Sequence, residues 1–325
     1  MDTLPHEIIN LIFEELDFKS KLRFKATSRY HETSHIITDL SNIWYSQQIL
    51  NDTLTQSKYF SVTKLNLNNN SKVKNISYMT KLEILNVVGF SSVRQNSMKN
   101  LNLIELHAGG NRHITDISHM TKLRKLSAWH SCGVSQVSIS NLNLIELDVD
   151  FNDRINNISH MSNLQILRAC GTSCAIDQIS ISKLNLRELW ANMNSSIVDV
   201  SHMSNLRILH ASGSCGIGQS GITGLNLIKL DASGNREIFD VSHMSNLKIL
   251  YASGICGIDQ LGISNLNLTK LDAGFNSRIH DVSHMSELKI LIAAGSCGIN
   301  QSGISNLNLD TLNTFGNKKF YEKID

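Results

Sequence analysis

The sequence contains very little proline. Pro5 is the only proline among 325 residues, whereas an average usage near 5% would give roughly 16. This scarcity excludes a proline-rich linker, a polyproline recognition segment and a collagen-like stretch. It indicates a chain built from uninterrupted regular structure.

The sequence also lacks a dominant charge and a long apolar run. Thirty Lys and Arg residues against 28 Asp and Glu residues give a net charge of +2, and no basic block appears, so nucleic-acid binding is not supported. No apolar run is long enough to span a membrane, and the first residues are acidic where a secretory signal carries positive charge. We therefore expect a soluble protein of the cytoplasm or nucleus that binds neither nucleic acid nor membrane.

Catalytic motifs are missing as well. The sequence contains no G-x-S-x-G, P-loop, H-E-x-x-H or C-x-x-C motif. Four aspartates recur at one place of an internal repeat, two residues before Ser-His-Met, so they are predicted to form turns rather than a carboxylate pair. These are Asp116, Asp199, Asp240 and Asp281. We expect no enzyme activity and no cofactor.

Most of the chain consists of repeats. The triplet Leu-Asn-Leu recurs in steps of 41, 42, 41, 41 and 41 residues from residue 101 to residue 307. Each unit contains two shorter repeats, one reading L-x-x-L-x-A-x-x-N-x-x-I and the other L-x-x-L-x-A-x-x-x-C-x-I. Position 1 of these thirteen short repeats is occupied by Val62, Leu82, Leu103, Leu123, Leu144, Leu164, Leu186, Leu206, Leu227, Leu247, Leu268, Leu288 and Leu309.

Each short repeat predicts one β-strand. Apolar and polar residues alternate over positions 3 to 6, so positions 4 and 6 face inward and positions 3, 5 and 7 face outward. An asparagine at position 9 can hydrogen-bond the backbone of the following turn. The pattern resembles the leucine-rich-repeat family over residues 62–325. That resemblance implies an α/β solenoid, a horseshoe whose concave face is a parallel sheet of about 13 strands.

Histidine and cysteine also recur once in each pair of repeats. Equivalent residues then lie two strands apart, roughly 10 Å, which is too far for a disulfide or for two ligands of one metal ion. We expect structural roles for both residue types, with no metal site and no disulfide framework. The two sets are His119, His160, His202, His243 and His284, and Cys132, Cys174, Cys215, Cys256 and Cys297.

The first 46 residues have helical rather than repeat spacing. Apolar residues three or four apart predict a first helix over about 5–16, with Pro5 in its first turn. A short second helix carries Leu22, and a third is predicted over about 28–40 with Ile36 and Ile37 on its buried side. Residues 47–61 connect this helical module to the repeats and lack the composition of a flexible linker.

These N-terminal residues resemble an F-box. The string Leu4-Pro5-His6-Glu7-Ile8-Ile9 is followed by Ile12, Leu16-Asp17, Leu22, Ser28-Arg29 and Trp44. The family docks through three helices on the Skp-type adaptor of cullin-RING ubiquitin ligases. The resemblance implies that the adaptor-binding residues are Leu4, Pro5, Ile8, Ile12, Leu16 and Leu22. The sequence departs from the family at residues 27–31, which have neither the Cys nor the Trp of the common Cys-Arg-x-Trp motif.

Large side chains gather at outward positions of the middle repeats. Aromatic residues and arginine are enriched in interface hot spots, so these residues are the candidate substrate-binding residues. Alternatively, Phe151 and Met193 turn into the core, and the tryptophans lie flat over small neighbours. The candidates are Trp129, His130, Asp148, Asp150, Phe151, Arg168, Trp190, Met193, His210 and Tyr251.

Together the resemblances imply an F-box protein with leucine-rich repeats. Such a protein is a substrate-recognition subunit of an SCF-type ubiquitin ligase, with a Skp-type adaptor, a cullin and an unidentified protein substrate as partners. The alternative is a non-catalytic interaction scaffold or an adaptor-sequestering decoy, in which the helices only cap the solenoid. The near-identical, Asn-rich repeats suggest a giant-virus or protist source, with the host cytoplasm as the location if viral.

Overall fold

The computed structural model describes residues 60–320, residues 37–40 and the single residues Leu16 and Ser20. Leu16 lies half-buried in a bend, and Ser20 is helical. Apart from these two and residues 37–40, the residues of the predicted helical module lie outside the described residues. They include five of the six predicted adaptor-binding residues, namely Leu4, Pro5, Ile8, Ile12 and Leu22.

The prediction for the end of the third helix is wrong. Ile37–Leu40 form strand β1, which pairs in parallel with strand β2, Phe60–Asn66. Side chains branched at Cβ are restricted in a helix and fit a strand, and Ile36-Ile37-Thr38 is a run of three such residues. Strand β2 begins at Phe60, inside the predicted 47–61 connector.

The chain divides into two compact units, Met1–Leu142 and Asn143–Asp325. In each unit the strands of the repeats are parallel and pair in chain order. The first unit contains β1, β2, β3 (Ile84–Asn86), β4 (Glu105–His107) and β5 (Lys125–Ser127). The second contains β6 (Glu146–Asp148), β7 (Ile166–Arg168), β8 (Glu188–Trp190), β9 (Ile208–His210), β10 (Lys229–Asp231), β11 (Ile249–Tyr251), β12 (Lys270–Asp272), β13 (Ile290–Ile292) and β14 (Thr311–Asn313). Strands β2 to β14 therefore match the thirteen predicted repeats one to one.

The helices are single turns between strands. Asp177 caps the N-terminus of α2 by accepting a hydrogen bond from the Ser180 amide at 2.9 Å, as expected for a short polar side chain at this position. The α-helices are α1 (Gln136–Ile139) and α2 (Gln178–Ile181), and the 3-10 helices are Gln95–Ser97, Ser220–Ile222, Leu261–Ile263, Ser302–Ile304 and Lys318–Phe320.

The core consists of the inward positions of each repeat. In the repeat that begins at Leu227, the side chains of Leu230, Ala232, Ile238 and Met244 are fully buried, which confirms the predicted inward positions. The Ala232 amide donates to the Tyr251 carbonyl of the next repeat at 2.8 Å. Each repeat therefore gains its core contacts and its backbone hydrogen bonds from its neighbours, as in other solenoids.

The position-9 asparagines tie neighbouring repeats together. Asn235 is 1% exposed, and its Nδ2 donates to the carbonyls of Ala211 at 2.8 Å and Ile217 at 3.0 Å. Its Oδ1 accepts from the Glu237 amide at 2.9 Å. The predicted backbone role of this asparagine is thus confirmed. The same two carbonyl bonds recur at Asn111, Asn194, Asn276 and Asn317.

Position 8 has a left-handed backbone in every repeat. Eight of the thirteen repeats have glycine there, which adopts a positive φ without steric cost. The other five have larger residues with φ between 53° and 60°, which is uncommon for residues with a Cβ. These five are Asn69, His130, Phe151, Met193 and Phe275.

Candidate functional site

The outward positions 3 and 5 of β7 to β12 form the surface that we call the outer strand face. Side chains at these positions alternate with the buried leucines of position 4, and most are half-buried. Equivalent residues on neighbouring strands are directly paired, so Arg168 lies beside Trp190 and Trp190 lies beside His210. Residues that lie about two dozen positions or fewer apart in the sequence therefore come into side-chain contact on neighbouring parallel strands.

Trp190 is held between two neighbours on this face. The guanidinium carbon of Arg168 lies 4.2 Å from the centroid of the indole ring, within the range of a cation–π contact. On the other side, the rings of Trp190 and His210 are stacked, with centroids 3.7 Å apart and planes inclined by 12°. The indole Nε1 donates to Glu188 Oε1 at 2.5 Å. Contacts on two sides and at its polar edge therefore fix the orientation of the indole.

His210 is the most deeply buried polar residue of this face. It is 5% exposed, and its Nδ1 lies 3.6 Å from Asp231 Oδ2. Its Nε2 is the one buried side-chain nitrogen or oxygen in the described residues that has no hydrogen-bond partner. Burial acts to raise the pKa of Asp231, but the neighbouring His210 ring and hydrogen bonding from Ser233 outweigh burial and hold that pKa below the usual 3.8 of an aspartate.

Tyr251 joins this cluster through lysines of position 3. Lys229 Nζ lies 5.8 Å from the ring centroids of both Trp190 and Tyr251. Lys270 Nζ lies 5.0 Å from the Tyr251 ring centroid. Trp190 and Tyr251 therefore share Lys229 as a cationic neighbour, and Lys270 lies over the Tyr251 ring.

The remaining predicted residues of the second unit lie near the start of its sheet. Asp150 accepts from the Cys170 amide at 2.7 Å, and Asp148 accepts from the Asp150 amide at 3.2 Å. Burial, reinforced by Asp150, raises the pKa of the Cys170 thiol far above its usual value. Asp150 is thus engaged by the backbone of the next repeat, and Asp148 by the backbone of its own loop.

The position-8 residues Phe151 and Met193 do not turn into the core. Phe151 is half-buried, and Met193 is 42% exposed. The ring of Phe151 covers Gly171 at position 8 of the next repeat, where an added Cβ would clash with it, and Met193 lies over Gly213. The alternative in which both side chains enter the core is therefore wrong.

Trp129 and His130 belong to the first unit. Their rings meet edge to face, with centroids 5.3 Å apart and planes inclined by 76°. Trp129 is half-buried and lies flat over Gly109, so that a Cβ at that glycine would clash with the indole. The position of Trp129 therefore matches the alternative prediction, in which the tryptophans lie over small neighbouring residues.

The predicted substrate-binding residues do not include Glu188, Lys229, Asp231 or Lys270. Each lies at position 3 or 5, and each contacts a predicted residue or its neighbour. The sequence contained the signal, because position 3 alternates isoleucine with charged residues and lies diagonally across from position 5 of each adjacent strand. These contacts join different positions of the repeat, so no single repeated position shows them.

The recurring cysteines and histidines have structural surroundings. Burial raises the pKa of Cys174, Cys215 and Cys256 to about 11, and no disulfide joins cysteines of the described residues. The ring Nε2 of His119 is 3.1 Å from the Met98 carbonyl oxygen of the preceding repeat. Within residues 60–320 no group of three or more His, Cys, Asp or Glu side chains is arranged to hold a metal ion.

Solved structures show which fold this is. An internalin (inlF) from Listeria monocytogenes is 22% identical, with a TM-score of 0.52 and coverage of 78% of this chain and 81% of that chain. The fold is a leucine-rich-repeat solenoid. A chain of the Rad7 and Elc1 complex of yeast is also similar, with 13% identity and a TM-score of 0.52. The match covers 96% of this chain and 87% of that chain.

The solenoid fold is the extent of what these similarities show. A scan of protein-family models finds no match, and a search of the curated proteins finds no similar sequence. In the part of the chain that the structure describes, no helix has the length and hydrophobicity needed to cross a bilayer.

Proposed function

We propose that this chain is a non-catalytic recognition protein that binds a partner protein on the outer strand face of its second unit. The observation that carries the proposal is the fixed but half-exposed indole of Trp190, between Arg168 and His210. A side chain that is already ordered loses little conformational entropy on binding. Tryptophan and arginine are also the residue types most enriched in hot spots.

We further propose that the partner is the substrate of an SCF-type ubiquitin ligase. The support is the N-terminal string Leu4-Pro5-x-Glu7-Ile8, which resembles the start of an F-box. In this role the N-terminal residues hold a Skp-type adaptor and, through it, a cullin, while the repeats hold the target. The chain performs no chemistry and increases the local concentration of target lysines near the ligase. A chain of similar fold from yeast was crystallised in a two-protein complex.

Co-purification with a Skp-type adaptor tests the ligase role. The full-length chain should retain the adaptor through size-exclusion chromatography, and the double variant Pro5→Ala, Ile8→Asp should lose it. A matched control is Val137→Asp, which places the same charge on an exposed apolar side chain of α1. Unchanged adaptor binding by the double variant, or absence of binding by the wild type, would reject the ligase role.

The alternative roles give different results in the same assays. A scaffold whose helices only cap the solenoid binds no adaptor, yet loses its partner when Trp129→Ala and Trp190→Ala are combined. A decoy binds the adaptor but shows no partner that depends on these tryptophans. The two interfaces can therefore be assigned independently, because one is tested at the N-terminus and the other on the strands.

A further inference from the structure

The outer strand face has three cationic side chains, each beside an aromatic ring. Arg168 lies over Trp190, Lys229 lies between the rings of Trp190 and Tyr251, and Lys270 lies over Tyr251. Each is half-buried. Among the described residues no carboxylate lies within ion-pair distance of any of the three. These cations therefore have unused capacity for an anionic partner.

The carboxylates of the same face are in the opposite situation. Glu188 accepts from the Trp190 indole at 2.5 Å, and Asp231 accepts from the Ser233 amide at 3.0 Å and faces His210. Asp272 accepts from the Gly274 amide at 2.9 Å. Donors of the chain itself thus engage at least one oxygen of each carboxylate, while the three cationic side chains form no ion pair within the described residues. The cations of this face can therefore pair with an external anion, although its carboxylates are as numerous as its cations.

We infer that the outer strand face binds an acidic, extended segment of the partner protein, whose Asp and Glu side chains pair with Arg168, Lys229 and Lys270. This inference rests on the proposed function and names the chemistry of its partner. Strands lie about 4.8 Å apart, so the five spacings from β7 to β12 span about 24 Å. An extended chain covers that distance in about seven residues.

The spacing of the cations further specifies the segment. Arg168 is on β7, Lys229 on β10 and Lys270 on β12, which corresponds to separations of about 14 Å and about 10 Å. Acidic residues about four and about three positions apart therefore match the three cations if the segment runs across the strands. Between them, small apolar side chains can lie over the half-buried isoleucines at position 3, Ile208 and Ile249.

Peptide binding to the full-length chain tests the inference. The probe is a fluorescein-labelled peptide of about eight residues with glutamate at its first, fifth and eighth positions and alanine elsewhere, compared with the same peptide containing glutamine in place of glutamate. Fluorescence anisotropy should show at least about tenfold tighter binding of the glutamate peptide, and raising NaCl from about 50 mM to about 500 mM should weaken it. The double variant Lys229→Gln, Lys270→Gln should lose about tenfold in affinity.

A matched double variant controls for net charge. Lys99→Gln, Lys183→Gln makes the same charge change at exposed lysines outside the strands and should bind the glutamate peptide like the wild type. Circular dichroism of each variant establishes that it is folded, and Lys229→Arg, Lys270→Arg should restore binding. Equal affinity for the two peptides, or equal losses in the two glutamine variants, would overturn the inference.

Two further results separate this inference from the proposed function. If a single-stranded oligonucleotide of about eight nucleotides binds as tightly as the glutamate peptide and depends on the same lysines, an acidic protein segment is not the specific occupant. If the glutamate peptide does not bind but partner capture still depends on Trp190, the inference fails and the proposed protein-binding function stands.

Discussion

Trp190 and His210 lie on the neighbouring strands β8 and β9 with their rings stacked, at a centroid distance of 3.7 Å and an interplanar angle of 12°. The indole covers a histidine that is 5% exposed and has one ring nitrogen without a hydrogen-bond partner. The stack therefore stabilises the solenoid locally and presents an ordered aromatic surface outward. Its two roles can be measured separately.

We expect Trp190→Ala to lower the free energy of unfolding by about 2–3 kcal/mol, since it removes an aromatic stack, a cation–π contact and a hydrogen bond. Trp190→Phe keeps a ring over His210 and should cost about 1 kcal/mol, the value of the lost bond to Glu188. Urea denaturation measures both. Phe90→Ala, at a side chain that is 89% exposed, should change stability by less than about 0.5 kcal/mol. A Trp190→Ala effect as small as that of Phe90→Ala would contradict the stack's stabilising role.

The buried asparagines give a second prediction. Asn235→Ala removes two hydrogen bonds to carbonyls of the preceding repeat and one from the Glu237 amide. At about 1 kcal/mol for each bond, the expected loss is about 2–4 kcal/mol. The exposed Asn246 provides a control, because Asn246→Ala should leave the urea midpoint nearly unchanged. Similar midpoints for the two variants would show that the buried amide does not join the repeats.

The left-handed position 8 predicts different costs for two glycines. Gly254 has φ +68° and open space around a new Cβ, so Gly254→Ala should cost only backbone strain of about 1–2 kcal/mol. Gly171 has φ +99° and lies under the Phe151 ring, so Gly171→Ala should cost about 1–3 kcal/mol more through overpacking. Thermal or urea unfolding gives both values. Phe151→Ala in the Gly171→Ala background should recover part of the excess, whereas equal costs for the two glycine variants would contradict the ring contact.

The turn aspartates predict how stability depends on pH. Ser242 donates its amide at 2.9 Å and its hydroxyl at 2.7 Å to Asp240, and these bonds lower the pKa of Asp240 below its usual 3.8. Equivalent bonds lower the pKa of Asp199 and Asp281. A carboxyl with a lowered folded-state pKa stabilises the fold above its unfolded pKa, and this contribution is lost as pH falls through the folded-state value.

The corresponding variant replaces all three aspartates with asparagine, which keeps an acceptor oxygen but does not titrate. We expect the Tm of the wild type to fall more steeply than that of the triple variant as pH is lowered from about 5 to about 3. Above about pH 5 the two Tm curves should run parallel. Parallel curves through the acid range would show that these turns do not contribute to the acid sensitivity.

Sequence periodicity was sufficient for the repeats but not for the contacts between them. The leucine spacing predicted all thirteen strands, and the asparagine at position 9 predicted side-chain hydrogen bonds to the backbone. Both features depend on single positions that recur in the repeats. Strand β1 was missed because apolar Ile36 and Ile37 fit a helical face as well as a strand. The roles of Lys229 and Lys270 depend on which residues adjoin across strands, which a column of single positions does not show.

Two repeated features were visible in the sequence but were not interpreted. Gln178 Nε2 donates to the Asp199 carbonyl at 2.8 Å, and its Oε1 accepts from the Val198 and Asp199 amides. Gln95, Gln219 and Gln260 make similar bonds. The left-handed position 8 was concealed where Phe151, Met193 and Phe275 replace glycine, since such residues rarely adopt a positive φ.

Site-specific photocrosslinking measures whether the outer strand face binds a protein. A benzophenone amino acid replaces Tyr251 on this face. In a matched control chain it replaces Phe239, which is 54% exposed and lies in the segment that follows β10. We expect a discrete crosslinked protein from position 251, none from position 239, and loss of the adduct in the Arg168→Ala, Trp190→Ala background. Equal crosslinking from both positions, or an adduct that survives both alanine substitutions, would contradict protein binding by this face.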